Sequence, residues 1–300
     1  MLYVPAVSWK MIEKAVVSRA DAVCIDLEDA TPPNDKPAAR ANVIRAFREL
    51  DFGPRIRMYR INALDTPWAY RDLIEVVEAV GDKVENVMLP KANSPDDIVF
   101  VDKLLTQIEQ WRGLSRQIGI EALVETAGGF LNVREMAQCS TRLESLSWGP
   151  GDFAASMRMP LADIGEFDAN DALYPGHRWH TAMQSLVAAA RVAGIRALDG
   201  PYAGYKDMEG FDRAAKIARA MGFDGKHCIH PGQLAHCNAV FTPTREEADK
   251  AQRLIDTYAK ACSQGLGAIS YEGKMIDAVS IRMAQVTINK FKLVEEGKAL

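Results

Sequence analysis

The chain has 300 residues, of which 48% are hydrophobic and 25% are charged, and its formal net charge is −4. This composition is typical of a globular protein with one large core or two smaller ones, and it lacks the basic stripe of a nucleic-acid-binding protein. No apolar run approaches the roughly 20 residues that span a bilayer, and five cysteines without framework spacing favour reduced thiols. We therefore predict a cytoplasmic protein that binds neither nucleic acid nor membranes.

Short apolar runs rich in β-branched residues alternate along the chain with segments of helical periodicity. The helical segments include residues 9–20, 68–80, 97–111 and 211–222. Strands that alternate with helices predict parallel βα units, and eight such units favour a closed (β/α)8 TIM barrel over an open sheet. The eight predicted strands are residues 2–6, 22–27, 55–61, 86–90, 118–124, 143–148, 195–200 and 226–230.

The chain continues well beyond the eighth predicted strand. A helical pattern over residues 244–262 begins with Thr244 and Glu247, which have the spacing of a Thr-x-x-Glu capping box. A glycine-rich hinge and a further apolar segment follow. We therefore predict an α/β protein with a barrel domain over residues 1–240 and a C-terminal helical extension with a lid segment over residues 241–300.

Polar side chains recur where the predicted strands end. In (β/α)8 enzymes the chemistry lies at the carboxyl ends of the strands, because the βα loops begin there. Scattered surface charge would not fall so regularly at this one position. The residues concerned are Asp26, Glu28, Asp29, Arg60, Asn62, Lys91, Glu125, Asp152, Asp199 and His230.

The sequence Gly-Pro-Gly-Asp follows the sixth predicted strand and has the features of an anion-binding turn. Gly149 and Gly151 carry no side chains, so a ligand such as a carboxylate can approach their backbone N–H groups. Asp152 stands at the edge of this turn, and Glu125 ends the neighbouring strand. Two carboxylates in an open space suit Mg²⁺, or Mn²⁺ in its place, although both could instead be ordinary loop-capping residues.

Two further groups at the strand ends allow a functional interpretation. The acidic trio Asp26, Glu28 and Asp29 could hydrogen-bond the waters of a bound metal ion. Arg60 lies on a strand whose alternation directs it into the barrel, where a guanidinium needs an anionic partner. That partner is either an ion pair with Asp26 or Glu28, or the carboxylate or carbonyl group of a substrate.

An ordered set of motifs covers nearly the whole chain. In order they are AVCIDLEDATPPNDKPAAR, RINA, VMLPKA, LVETAGGFLNVREMA, SWGPGDFAASM and CIHPGQ. With this set the chain resembles the citrate lyase β-subunit-like family, which includes malyl-CoA lyases and citramalyl-CoA lyases. The resemblance implies a (β/α)8 barrel that cleaves or forms 3-hydroxyacyl-CoA thioesters with a divalent metal ion.

The resemblance also implies roles for individual residues. Glu125 and Asp152 match the metal ligands, and Arg60 matches the arginine that contacts the keto acid and the thioester carbonyl. Glu28 and Asp29 match the acidic pair near the metal-bound water.

Other residues are expected to act around this centre. Asp277 matches an acidic residue that the C-terminal segment delivers to a neighbouring subunit of a trimer or hexamer, although it could instead only cap the following helix of a self-contained C-terminal segment. Lys10 takes the place of an arginine in the first loop of many relatives and is expected to contact the phosphates of coenzyme A. Lys91 and Gly151 are expected to bind the substrate, and Gly128 replaces an arginine that relatives often carry.

The resulting prediction is a carbon–carbon lyase of the acyl-CoA aldolase type. It would cleave malyl-CoA, β-methylmalyl-CoA or citramalyl-CoA to an acyl-CoA and a 2-oxo acid, glyoxylate or pyruvate. A malyl-CoA thioesterase and a citrate lyase β-subunit are alternatives that share the same site residues. A different class, a metal-binding regulatory module, would use a zinc cluster formed by His227, Cys228, His230, His236 and Cys237, whose spacing fits no standard finger.

Overall fold

The computed structural model describes residues 1–161, 163–174 and 178–297. The chain divides into two compact units, residues 1–237 and 238–300. This boundary lies three residues before the predicted one at 240, and both positions fall inside one helix, Gln233–Phe241. The last three residues of the predicted extension, 298–300, lie outside the described part of the chain.

The first unit is built around a sheet of eight parallel strands that are hydrogen-bonded in sequence order, which gives a TIM-barrel-like α/β fold. The predicted number and order of strands are thus confirmed, although the eighth strand is only two residues long. The strands are β1 (Leu2–Pro5), β2 (Ala22–Asp26), β3 (Ile56–Arg60), β4 (Asn86–Leu89), β5 (Gly119–Val124), β6 (Leu143–Trp148), β7 (Arg196–Asp199) and β8 (Gly225–Lys226).

Helices connect the strands, as alternating periodicity predicts. The longest of them, Pro95–Arg112, illustrates the local signals, because Ser94 and Asp97 form a capping box and Gly113 ends it at a φ of 65°. The helices of the first unit are α1 (Trp9–Val16), α2 (Lys36–Glu49), α3 (Ala69–Val80), α4 (Pro95–Arg112), α5 (Ala127–Leu131), α6 (Val133–Met136), α7 (Pro150–Ser156), α8 (His180–Ala193), α9 (Met208–Met221) and α10 (Gln233–Phe241).

Strands β2, β4 and β5 are buried along their whole length. Such continuous burial is expected for parallel strands whose outer face is covered by helices. Inside the sheet, apolar side chains form a cluster that includes Cys24, Met58, Met88 and Leu123. Burial of each large apolar side chain stabilises the folded state by about 1.5–3 kcal/mol. The cluster therefore fixes the positions of the strand ends that lie next to it.

The second unit contains α11 (Arg245–Cys262), the hairpin strands β9 (Ile269–Tyr271) and β10 (Lys274–Ile276), and α12 (Ala278–Glu295). Thr244 and Glu247 form the predicted capping box at the start of α11, which is confirmed. Ala251 of α11 and Ile288 of α12 belong to one apolar cluster, which pairs the two helices. Within the described residues, no helix is both long and apolar enough to cross a membrane.

A buried ion pair joins helices to the sheet of the first unit. Asp72 of α3 is fully buried and accepts hydrogen bonds from Arg40 of α2, at 2.8 and 3.0 Å. Its second oxygen accepts from the backbone N–H and the side-chain amide of Asn62, at 2.9 and 2.6 Å. Asn62, predicted as a polar residue at a strand end, therefore shapes the loop after β3.

Replacement of Asp72 by alanine should destabilise the first unit by about 3–5 kcal/mol, because Arg40 then keeps a buried charge with too few partners. Urea unfolding followed by circular dichroism measures this free energy. The matched control is Glu75→Ala, which removes a half-exposed partner of the same arginine and should cost less than about 1 kcal/mol. Equal losses of unfolding free energy in the two variants would contradict the conclusion that Asp72 is the main partner of the buried charge of Arg40.

Candidate active site

A cavity of about 360 Å³ lies at the carboxyl ends of the strands. Residues at or just beyond the ends of strands β1–β3 and β5–β8 line it, which confirms that this end of the sheet carries the polar groups. Apolar side chains such as Leu123, Ile164 and Ile229 share the lining. Its titratable side chains are Tyr3, Asp26, Asp29, Arg60, Glu125, Asp152 and His227.

Arg60 is held by the protein's own carboxylates. Its Nε and Nη2 donate to the two oxygens of Asp26, at 2.7 and 2.6 Å, and its Nη1 lies 2.8 Å from Glu28 Oε2. The guanidinium carbon lies 5.2 Å from the ring centroid of Tyr3. Of the two partners that the sequence allowed for Arg60, the structure therefore contains the ion pair, in a position where Arg60 still lines the cavity.

Lys91 connects four carboxylates across the site. Its ammonium group pairs with Glu28, lies 3.4 Å from Asp29 and lies 3.7 Å from Asp152. Its backbone N–H donates to Glu125 Oε1 at 2.9 Å. Lys91 adopts a φ of 50°, a left-handed conformation that costs a residue other than glycine about 1–2 kcal/mol.

Burial controls the protonation of two carboxyl groups of the site, those of Glu125 and Glu28. Burial raises the pKa of Glu125 to about 8, with Glu28 and Asp152 adding to the rise and Arg60 and Lys91 opposing it. Burial likewise raises the pKa of Glu28 to about 7 against the opposing effect of Arg60. The site thus has more negative charge than its own cations balance, so an added cation would favour the ionised forms.

The turn after β6 is shaped around Glu125. A Cβ atom at position 149 would lie 2.4 Å from Glu125 Cβ and 2.5 Å from its Oε2, so only glycine fits there. The ring of Trp148 packs 4.6 Å from that of Phe153, and both rings pack against Trp179, which fixes the start of α7. Asp152 lies in the first turn of this helix.

The residues present fit a divalent cation. Glu125 and Asp152 line the same cavity and offer only oxygen atoms, the donors that Mg²⁺ prefers. Two carboxylates are enough, because Mg²⁺ keeps several of its waters. Gly149, which also lines the cavity, lets Glu125 Oε2 lie where a Cβ atom at position 149 would come within 2.5 Å of it.

Sequence reasoning missed a lysine that fixes the acidic loop. Lys36 is buried, and its ammonium donates to the carbonyl oxygens of Leu27 and Glu28, at 2.6 and 2.7 Å. These bonds hold the backbone that carries Glu28 and Asp29 towards the cavity. No local signal marks Lys36, because a lysine next to a proline usually lies in an exposed turn.

Sequence reasoning also missed a buried polar network beneath the cavity. Glu121 of β5 accepts hydrogen bonds from the hydroxyl groups of Ser147 and Ser145, the latter at 2.8 Å, and lies 3.2 Å from His227 Nε2. Burial would raise the pKa of Glu121, but its contacts with His227 and the serines lower it. A signal existed, because a glutamate within the apolar run IGIEALV requires buried partners.

The zinc cluster considered for residues 227–237 is wrong. His227 belongs to the network around Glu121, and His236 pairs with Asp212 at 2.9 Å. Over the described ranges of the chain, no three His, Cys, Asp or Glu side chains are grouped to hold a metal ion. His230 accepts a hydrogen bond from the N–H of Gly232 at 3.0 Å, so it shapes the loop after β8.

Of the remaining predicted site residues, one lines the cavity, two belong to the first unit outside its lining, and one belongs to the second unit. Gly151 lines the cavity. Lys10 is exposed on α1 and is not among the described residues that line the cavity. Asp199 forms a buried ion pair with Lys226 at 2.6 Å. Asp277 belongs to the second unit, where it is the N-cap of α12.

Eight parallel strands with a charged cavity at their carboxyl ends are typical of α/β enzymes with a TIM-barrel-like fold. More narrowly, the chain belongs to the HpcH/HpaI aldolase/citrate lyase family, which residues 1–231 match. This membership confirms the resemblance that the ordered motifs indicated.

Individual relatives are similar over nearly their full length. An L-malyl-CoA/β-methylmalyl-CoA lyase of Cereibacter sphaeroides is 38% identical over 98% of this chain and 94% of its own length. A (3S)-malyl-CoA thioesterase of the same organism is 33% identical, covering 100% of this chain and 96% of its own. The crystal structure of Mycobacterium tuberculosis CitE with magnesium, acetoacetate and coenzyme A has a TM-score of 0.76 at 29% identity, with 97% of each chain covered.

The raised pKa of Glu125 makes the stability of the metal-free protein depend on pH. Between about pH 5 and pH 8 the folded state keeps a proton on Glu125 that the unfolded chain has released, so stability falls as the pH rises. We therefore compare, in the presence of a chelator, the drop in unfolding free energy between about pH 5 and pH 8. This drop should be smaller in Glu125→Gln than in the wild type, by on the order of 1–4 kcal/mol. Urea unfolding at several pH values measures it.

The control for this pH dependence is Glu75→Gln, a half-exposed carboxylate outside the cavity. It should keep the wild-type dependence of unfolding free energy on pH. Identical curves for Glu125→Gln and the wild type would show that Glu125 titrates normally.

Proposed function

We propose that the protein is a Mg²⁺-dependent lyase that cleaves or forms a 3-hydroxyacyl-CoA such as malyl-CoA, β-methylmalyl-CoA or citramalyl-CoA. The products of cleavage are an acyl-CoA and a 2-oxo acid, glyoxylate or pyruvate. The observation that carries this proposal is the Glu125–Asp152 pair beside Arg60 in one cavity of a chain 38% identical to a malyl-CoA lyase. The magnesium and coenzyme A in the CitE structure also support it.

The chain's own residues account for the chemistry as follows. A base removes the proton of the 3-hydroxyl group, and the C–C bond breaks to give a 2-oxo acid and the enolate of an acyl-CoA. Arg60, kept in place by Asp26, provides positive charge beside the oxygen on which negative charge develops. Glu125 and Asp152 would hold Mg²⁺, and its Lewis acidity would then polarise the substrate oxygens. A proton added to the enolate carbon completes the cleavage.

We further propose that the sheet closes into a complete (β/α)8 barrel. Two contacts support closure: Leu2 forms a parallel bridge with Cys228, and the N–H of Tyr3 donates to the Cys228 carbonyl at 2.9 Å. Side chains fill the interior of such a barrel, so substrate would enter at the carboxyl ends of the strands, where the cavity lies. Residues 238–300 would serve as the extension and lid. The five cysteines are free thiols, which accords with a cytoplasmic location.

In this proposal the enzyme is a homotrimer or hexamer, and Asp277 serves the active site of a neighbouring subunit. The hairpin β9–β10 presents it: Glu272 and Gly273 form a tight turn at φ values of 49° and 75°, and Asp277 follows β10 directly. Proton transfer to and from the substrate is the role that we assign to Asp277. Lys10 would contact the coenzyme A phosphates from outside the cavity.

Thioester hydrolysis is a second candidate, since a (3S)-malyl-CoA thioesterase is 33% identical over the whole chain. Hydrolysis would give malate and free coenzyme A through the same charged cavity. The two reactions differ in their products, because only the lyase releases glyoxylate and only the thioesterase releases a thiol.

Glu125→Ala and Asp152→Ala should each lower turnover of malyl-CoA by about 10²-fold or more, because several kcal/mol of charge stabilisation depend on the metal. Phenylhydrazone formation measures glyoxylate, and a thiol reagent measures free coenzyme A. Glu144→Ala, an exposed residue on β6, is the control and should keep full turnover. Full activity of either alanine variant in saturating Mg²⁺ would refute the metal site, and release of thiol without glyoxylate would establish the thioesterase.

Asp277→Asn should lower turnover by about 10²–10⁴-fold, the usual effect of removing a general acid or base, while Mg²⁺ affinity stays close to that of the wild type. Mixed oligomers of Asp277→Asn and Glu125→Ala chains should recover part of the activity, because some sites then combine two intact residues. If subunits exchange and the mixtures stay as inactive as their parents, Asp277 does not serve a neighbouring site.

A further inference from the structure

We propose that Lys91 is a positioning residue with two separate tasks: its backbone N–H orients Glu125 for the metal ion, and its ammonium group positions Glu28 and Asp29. The sequence suggested instead that Lys91 binds substrate. This inference rests on the proposed metal site.

The first task depends on the unusual backbone of Lys91. The residue follows the end of β4 and has a φ of 50°, a conformation that side-chain-bearing residues seldom adopt. The N–H of this residue donates to Oε1 of Glu125, which follows the neighbouring strand β5, at 2.9 Å. Strain at such a position persists only where the surroundings require it, and here the strained residue is the one whose N–H binds a candidate metal ligand.

Glu125 needs this donor because little else orients it. The side chain is 3% exposed, so water does not fix its rotation. With Oε1 on the Lys91 N–H, Oε2 lies against Gly149, where a Cβ atom would come within 2.5 Å. A hydrogen bond to a carboxylate is short and directional, so it selects one orientation of the carboxyl plane. Loss of the N–H would leave Glu125 free to rotate away from the cation.

The second task belongs to the ammonium group. Every ion pair of Lys91 within the described residues joins it to a carboxylate of the protein, with Glu28 and Asp29 the nearest. Lys91 is also not among the described residues that line the cavity. Its charge is thus already engaged, which favours a positioning role over direct contact with substrate.

Three variants separate the two tasks. Lys91→Met removes the charge but tolerates the left-handed backbone about as well as lysine does, and Lys91→Gly removes the charge and relieves the strain. Lys91→Val also removes the charge, but a β-branched residue strongly resists this conformation. The comparison of valine with methionine therefore isolates the backbone N–H, because both variants lack the ammonium group.

The dissociation constant for Mn²⁺, measured by electron paramagnetic resonance on the full chain stripped with chelator, is the main readout. Lys91→Met and Lys91→Gly should bind Mn²⁺ within about threefold of the wild type, whereas Lys91→Val should bind at least about tenfold more weakly than Lys91→Met. Turnover should fall in all three variants, with the KM for the thioester changing less than kcat. Circular dichroism verifies folding, and Lys91→Thr replaces Lys91→Val if the latter does not fold.

Equal Mn²⁺ affinities for the valine and methionine variants would overturn the role of the backbone N–H. A tenfold loss in Lys91→Met as well, relative to the wild type, would overturn it too, since the ammonium group would then support the metal. Failure of the metal site itself looks different: the wild type would not bind Mn²⁺, or Glu125→Gln would bind it as tightly as the wild type.

Discussion

The ion pair between Arg60 and Asp26 is the interaction on which the rest of the site depends. Carboxylates brought to one end of a sheet repel one another, and a buried carboxylate without a partner would become protonated instead. Arg60 places a permanent positive charge among them, and Lys91 adds a second from the next strand. Arg60 and Lys91 form ion pairs or hydrogen bonds with five carboxylates: Asp26, Glu28, Asp29, Glu125 and Asp152.

Most of the fold follows from local sequence signals, because each strand and helix has its own periodicity and end signals. The capping box at Thr244 and the order of the eight strands could be predicted in this way. The end of the eighth strand could not. Residues 226–230 have a strand-like pattern, but pairing with β7 involves only Gly225 and Lys226, and beyond them Cys228 forms a single bridge with Leu2 of β1. Pairing depends on distant residues, which a single strand does not encode.

The candidate site shows the same division between local and distant information. Glu125 and Asp152 could be located because they follow strands whose ends must lie side by side. The contacts of Lys91 could not be foreseen, because its partners belong to other strand ends, and its left-handed backbone has no glycine-like signal in the sequence. Lys36 and Glu121 escaped notice for a related reason: their partners lie on other elements of the chain.

The N-cap position of Asp277 has a consequence for any chemistry that this residue performs. Its Oδ1 already accepts hydrogen bonds from the N–H groups of Val279 and Ser280, at 2.9 and 3.2 Å. The side chain is therefore confined to one rotamer, and the carboxylate moves as a rigid part of α12. If Asp277 acts on a substrate as proposed, its carboxylate would lose little conformational entropy on reaching it, and α12 would set the distance and the angle of its approach.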